Sequence, residues 1–287
     1  MIFLSWNVRG LTDPVRRYMV RDDITFCATK YGGLDIVCLQ EVKITEFQLQ
    51  CACALIYPNS QIYSTKHPPG RGGAVVLLAN RWHGNFVDWG VDPSNQVVWV
   101  LLEVDGMSFG ILNVYASNSA SERCLLWKWC AFSLPPAVWI VCGDFNMVER
   151  ASDKIGGLNH RWALGEREAW FFMKKKLCLS DPNFCFSPTS FDECLWFTWN
   201  NYQVGQTRIL KRLDRAMLSD HTRFYFHQMH GDAPVVEVIA GTIGSDHSLI
   251  MFTVLSSVVP DQGIKSQFFL NTSFLQHSSM MCHIWRV

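Results

Sequence analysis

An α/β domain is the architecture this sequence predicts, and three observations predict it. Short apolar runs of strand length recur from Ile2 to Leu255 and alternate with stretches of helical spacing. Asp105-Gly106, lying between two such runs, is a two-residue hairpin pair and adds an antiparallel component. No segment repeats at a period of about 20–50 residues, and no low-complexity tract breaks the pattern. After Ser256 the alternation fades into Pro260-Asp261-Gln262-Gly263, which has linker composition. The domain is therefore expected to span 1–255, with 256–287 as a tail.

Taken in order, Ile2–Val8 reads as a strand ending in Trp6-Asn7. Asp13-Pro14 supplies an N-cap and a proline at the first helical position, opening a helix to about Lys30 that Gly32-Gly33 ends. Leu34–Gln40 reads as a buried strand followed by Glu41, and Thr45 to about Leu55 as a short helix. Gln61–Ser64, Gly73–Ala79, Gln96–Val104 and Met107–Tyr115 read as strands, and Ser119 or Ser121 caps a helix through Phe132. Ala137–Val141, bounded by Pro135-Pro136, is a buried strand running into Gly143-Asp144-Phe145-Asn146. Residues 147–161 read as a loop and Trp162–Leu177 as a helix whose Lys174-Lys175-Lys176 suits its negative end. Phe197–Asn200 and Arg208–Leu218 read as the arms of a hairpin, and Val235–Ala240 and His247–Leu255 as the closing strands.

Aliphatic, aromatic and Cys residues make up 49% of the 287 residues, which excludes a disordered chain. Apolar runs such as Ala74–Ala79 and Val97–Leu102 fall far short of a membrane span. Met1 leads straight into a strand-like run, with no basic and apolar leader, so an intracellular location is expected, nuclear or cytoplasmic and not secreted. The 11 cysteines are odd in number, sit largely inside apolar runs, and form no Cys-x-x-Cys pair. With 25 basic and 25 acidic residues the net charge is zero, so any nucleic-acid contact must come from a local patch.

Polar residues cluster where strands end: Asn7, Glu41, Tyr115, Asp144, Asn146, Asp214, Asp246 and His247. Each has a plain structural explanation by itself. Asp144 and Asn146 suit a turn, and Asp214 lies between Arg212 and Arg215 as if in a surface ion pair. Eight such coincidences at one kind of position argue for a shared site. At period two, Asp144 and Asn146 are expected to point to the same side. Carboxylates and carboxamides without a thiolate are the ligands of a hard divalent cation, typically Mg²⁺. A His beside such an ion, oriented by an Asp, can activate water or neutralise charge on a phosphate, which describes phosphoester hydrolysis.

Trp6-Asn7-Val8, Leu39-Gln40-Glu41, Asn113-Val114-Tyr115, Gly143-Asp144-Phe145-Asn146, Arg212-Leu213-Asp214 and Gly244-Ser245-Asp246-His247 occur in the order and rough spacing of the endonuclease/exonuclease/phosphatase superfamily, which this chain resembles over about residues 1–255. The resemblance implies a four-layer α/β sandwich, two packed mixed sheets flanked by helices, with the site at one end. Within that superfamily, Leu4–Leu11, Arg212–Ala216, Phe197-Thr198-Trp199 and the block reaching Lys154-Ile155-Gly156-Gly157 look most like the endonuclease domain of plant non-LTR (LINE-type) retrotransposon polyproteins.

On this resemblance Glu41 is the main metal ligand, with Asn7 and Asp246 near the ion, Mg²⁺ with Mn²⁺ as a substitute. Asp144 positions or deprotonates the attacking water, and Asn146 and Tyr115 hold the scissile phosphate. His247, oriented by Asp214, is either a base or a stabiliser of the transition state. Arg71, Arg208, Lys211 and Arg212 are candidate contacts to the DNA backbone. The expected activity is nicking of one DNA strand by a monomer, with no membrane partner and with the downstream reverse transcriptase absent from this chain. The alternatives are abasic-site repair and an inactive remnant that only binds nucleic acid. Arg9 stands where abasic-site repair members carry Asp.

Overall fold

The computed structural model describes residues 1–66, 70, 72–158, 162–183, 196–201, 207–220, 236–239 and 245–254. The chain divides into two units, Met1–Leu255 and Ser256–Val287. The expectation for the tail falls outside the described residues.

The helices begin where their caps dictate. Asp13 accepts the Val15 N–H ahead of α1, Pro14–Tyr31, and Gly32 closes that helix in the left-handed conformation with φ 76°. Thr45 and Gln48 form a capping box on α2, Glu46–Ile56. α3 spans Ala120–Ser133 and α4 spans Glu166–Lys176. α4 starts four residues later than Trp162 because Gly165, with φ 75°, precedes its first turn.

Two six-stranded mixed sheets carry the fold. The first is ordered β14-β15-β1-β2-β4-β3, from Val236–Ile239, Leu249–Thr253, Ile2–Asn7, Ile36–Gln40, Ala74–Leu78 and Gln61–Ser64. The second is ordered β10-β13-β8-β7-β6-β5, from Leu179–Ser180, Asp214–Ser219, Val138–Asp144, Met107–Tyr115, Val97–Val104 and Phe86–Val91. Their inner faces meet in one core containing Phe3, Ile36, Val76, Val100, Ile111, Ile140 and Ala216. Outer cores lie beneath the helices, one with α1 and α2 and one with α3 and α4. The expected α/β sandwich is therefore present, with the interdigitated sheet pair in the middle.

Several elements differ from the sequence reading. β5 and β10 were not expected, since an edge strand such as Phe-Val-Asp-Trp-Gly-Val is largely solvated and lacks an apolar stripe. The supposed loop 147–161 contains a short strand, β9, Lys154–Ile155. It joins β11, Trp199–Asn200, and β12, Leu210–Lys211, in a third, three-stranded sheet. Arg208–Leu218 is consequently not one hairpin arm: β12 belongs to the small sheet, and β13 starts afresh at Asp214 in the large one.

Candidate active site

Strand register brings the polar strand ends together. In the parallel pair β1/β2, Asn7 lies opposite Gln40, the residue before Glu41. In β7/β8, Tyr115 lies opposite Asp144, and in the antiparallel pair β8/β13, Asp144 lies opposite Asp214. Two carboxylates are thus neighbours by backbone pairing alone. Gly143 is required there: it has φ 134°, and a Cβ would stand 2.0 Å from the Val114 carbonyl oxygen.

Glu41 and Asn146 adopt left-handed backbone, φ 57° and 47°, a conformation uncommon for such residues and often found at functional positions. This corrects the period-two expectation for Asp144 and Asn146. The strand ends at Asp144, so the alternation does not continue. Asn146 instead donates its backbone N–H to Asp144 Oδ1 at 2.9 Å and its amide to the Ala116 carbonyl at 2.8 Å.

His247 is held on every side. Its Nδ1 lies 2.8 Å from Asp214 Oδ2. Thr198 Oγ1 accepts the backbone N–H groups of Leu213 and Asp214 at 3.0 and 2.9 Å, fixing the carboxylate's approach. The His247 N–H donates to Ser245 Oγ at 3.1 Å, and that hydroxyl donates to the Asn7 carbonyl at 2.7 Å. Trp6 Nε1 donates to the His247 carbonyl at 3.2 Å. His247 Nε2 then faces Asp144 Oδ2 and Asp246 Oδ1, each 3.9 Å away. Asp144, Asp214 and His247 form a cluster whose ligand atoms lie within 4.8 Å of one another, suitable for a divalent metal ion.

Asn7 spans two carboxylates, its amide donating to Glu41 at 3.1 Å and to Asp144 at 2.9 Å. Glu41 also meets the Lys43 ammonium. Asp246 Oδ2 receives Arg9 at 2.6 Å and Trp199 Nε1 at 2.9 Å, while its Oδ1 is buried without a hydrogen-bond partner. The carboxylate oxygens of Glu41 and Asp246, one of them orphaned, fit a hard divalent cation.

Burial would raise Glu41, but the Lys43 ammonium and the Asn7 amide outweigh it and hold the carboxyl below its ordinary value. Burial, with Asp214 alongside, pushes Asp144 up to about 6 against the pull of His247. Burial would lower His247, yet Asp214, Asp144 and Asp246 together push it up to about 10. Burial and the charges of Glu41 and Asp144 push the Tyr115 phenol well up, so Tyr115 is a neutral donor.

All eight strand-end residues gather at one end of the sheets. The surface reading of Asp214 fails because it is only 2% exposed, and its flanking arginines turn elsewhere. Arg215 meets Asp153 at 3.2 Å. Arg212 meets Asp181 at 2.7 Å and is 3% exposed, so it is not a surface contact for a phosphate, contrary to expectation. Arg71 lies outside the described residues, Arg208 is exposed, and Lys211 is half-buried over the Trp199 ring at 4.8 Å. The sequence reading missed Lys43, which stands only two residues from its partner Glu41, and the Arg9–Asp246 pair, whose members meet only after folding. It also missed the buried Gln40–Asn113 hydrogen bond, 2.7 Å, which ties the two sheets together directly behind Glu41. Thr198 and Ser245 lay inside quoted motifs, and that was the available clue to them.

The family model for the endonuclease/exonuclease/phosphatase family matches residues 4–247. No curated protein matches the sequence. Among solved structures, an AP endonuclease from Archaeoglobus fulgidus is similar at TM-score 0.64 and 14% identity, covering 88% of this chain and 99% of that one. An AP endonuclease from Leishmania major is similar at TM-score 0.61 and 15% identity, covering 88% and 86%. The endonuclease domain of TRAS1, a telomere-specific non-LTR retrotransposon, is similar at TM-score 0.58 and 13% identity, covering 88% and 97%. These identities speak to the fold. The family match and the Asp144–Asp214–His247 cluster together support metal-dependent phosphodiester hydrolysis.

Proposed function

Starting from the endonuclease/exonuclease/phosphatase family, to which this chain belongs, we propose that it cuts one strand of DNA by Mg²⁺-dependent attack of water on phosphorus. The observation that carries this is the Asp214–His247 pair, 2.8 Å apart, presenting Nε2 toward Asp144 and Asp246. Glu41, with Asn7 and Asp246 beside it, would hold the ion, whose charge would polarise the scissile phosphate.

The chain's own groups divide the remaining work. With its carboxyl at about 6, Asp144 is largely ionised at neutral pH and can orient water and take its proton. With its imidazole at about 10, His247 is charged at that pH. In that form it can donate to a phosphoryl oxygen. Asp214 fixes the tautomer and holds the positive charge in place. Tyr115 and the second amide hydrogen of Asn146 supply neutral donors to the phosphate. The water oxygen bonds phosphorus as the bond to the 3′ oxygen breaks, and that oxygen takes a proton from solvent, leaving a 3′-hydroxyl and a 5′-phosphate.

Abasic DNA is the substrate that the similar AP endonucleases favour. A second reading, nicking of intact DNA in the manner of a retroelement endonuclease such as the plant LINE type, has its own support. Arg9, in place of the Asp of the repair members, ion-pairs with Asp246 at the site itself, and the TRAS1 domain shares the fold. Supercoiled plasmid and an abasic oligonucleotide, each incubated with protein and Mg²⁺ or EDTA, separate them. Cleavage confined to the abasic strand supports repair, and nicking of plain plasmid supports the retroelement reading. Binding of either DNA without cleavage refutes both and leaves a remnant.

A further inference from the structure

The motif Lys154-Ile155-Gly156-Gly157 has no part in the catalytic cluster, yet the small third sheet places it in register with that cluster. Lys154 on β9 lies opposite Lys211 on β12. Lys211 lies opposite Trp199 on β11, and Trp199 forms a bridge with His247. Directly opposed residues share a face of a sheet. The row Lys154–Lys211–Trp199–His247 therefore runs straight out from the site. At about 4.8 Å per strand, the Lys211 backbone stands about 10 Å and the Lys154 backbone about 14 Å from that of His247, measured across the strands.

The chemistry of the row is one-sided. Two lysines directly opposite each other repel, and a sheet of two-residue strands has little stability to offset that. Neither ammonium pairs with a carboxylate among the described residues. Lys154 donates to the Leu158 carbonyl, which leaves two of its three donors. Lys211 is laid over the Trp199 ring, 4.8 Å from its centroid, while the same indole donates to Asp246. The glycines set the spacing: a Cβ on Gly156 would stand 2.3 Å from the Arg208 carbonyl oxygen, so the turn after β9 packs against the chain entering β12 only as glycine. Two cations held beside a phosphodiester site, with no carboxylate partner among the described residues, are a receptor for anions.

We propose that Lys154 and Lys211 form a ledge that grips phosphates of the DNA backbone a few nucleotides from the scissile bond, with Trp199 coupling the ledge to Asp246. This rests on the reading of the site as a DNA hydrolase. A single strand advances about 3.4 Å per nucleotide along the duplex axis. The 10–14 Å offset, about three or four such steps, places the contacted phosphates outside the reacting nucleotide.

The test uses the full chain and a fluorescent duplex, with binding measured in EDTA across about 50–200 mM salt and nicking measured with Mg²⁺. Lys154→Ala and Lys211→Ala should each lower the slope of log affinity against log salt by about 0.9, and the double variant by about twice that. KM for nicking should rise with kcat retained, and Lys154→Arg should restore the slope. Lys154→Gln gives the same reading if alanine disturbs the small sheet. A double variant with the parental slope and KM overturns the ledge, as does a loss of kcat at unchanged KM. In either case the parent still cuts DNA and the reading beneath survives. A parent that neither binds nor cuts DNA refutes that reading, and the ledge with it.

Discussion

Replacing Asp214 by Asn removes one charge and almost no volume, which isolates what the carboxylate does for His247. In the parent, Oδ2 lies 2.8 Å from Nδ1 in a site where both side chains are buried. A hydrogen bond to a charged partner in such surroundings contributes about 1.5–3 kcal/mol. Asp214 is also the largest of the charges that push His247 up to about 10. Without it the imidazole is less often charged and can present either tautomer. If about 2.7 kcal/mol of this is felt only in the transition state, turnover falls by about 10²-fold, at roughly 1.36 kcal/mol per decade. Thr198 holds residue 214 through backbone N–H groups, which the substitution leaves intact, so folding and DNA binding should be retained. Single-turnover nicking of plasmid at saturating Mg²⁺, alongside an NMR titration of the His247 imidazole, reads both effects. Should Asp214→Asn nick like the parent while His247→Ala is dead, the two do not act as a pair.

Glu41→Ala should abolish cleavage at low Mg²⁺ and be partly rescued by high Mg²⁺ or Mn²⁺, because a missing ligand weakens ion binding without removing the nucleophile. An unaltered metal titration would contradict that role. In metal-free buffer, His247 raised from 6.5 to about 10 contributes stability that is complete below pH 6.5 and is lost as pH rises through 10. Urea melts of parent and His247→Ala should therefore converge in stability over that window, and parallel curves would refute the assignment. Gly143→Ala should destabilise the fold by at least about 4 kcal/mol, read as a lowered urea midpoint, since its Cβ meets backbone that cannot move aside. A chain ending at Ser257 should nick as well as the full chain and be more soluble. Loss of folding in that shortened chain would place the tail in the core.

The parts of the molecule legible in the sequence are those that local rules decide. Asp13-Pro14, Thr45-Glu46-Phe47-Gln48 and Asp105-Gly106 each carry their own geometry, and the elements they open or join are where expected. The gathering of eight strand-end residues at one place was legible because buried strands have little internal use for polar groups at their ends. Illegible features depend on long-range pairing. β9 is two residues long, and nothing in Lys154-Ile155 shows that it will pair with Leu210-Lys211 some 55 positions away. Arg212 and Arg215 read as surface charges because their partners, Asp181 and Asp153, are distant in sequence and buried. Asn146 misled because period two holds only while the strand lasts, and its left-handed backbone ends it.

Hydrolysis at this site should proceed by direct attack of water on phosphorus. Cleavage of duplex DNA, abasic or intact, in ¹⁸O-labelled water tests it most directly. With Mg²⁺ the new 5′-phosphate should carry one labelled oxygen and the 3′-hydroxyl none, and EDTA should leave no product. Strand scission that proceeds in EDTA, or that leaves the 5′-phosphate unlabelled, would contradict it.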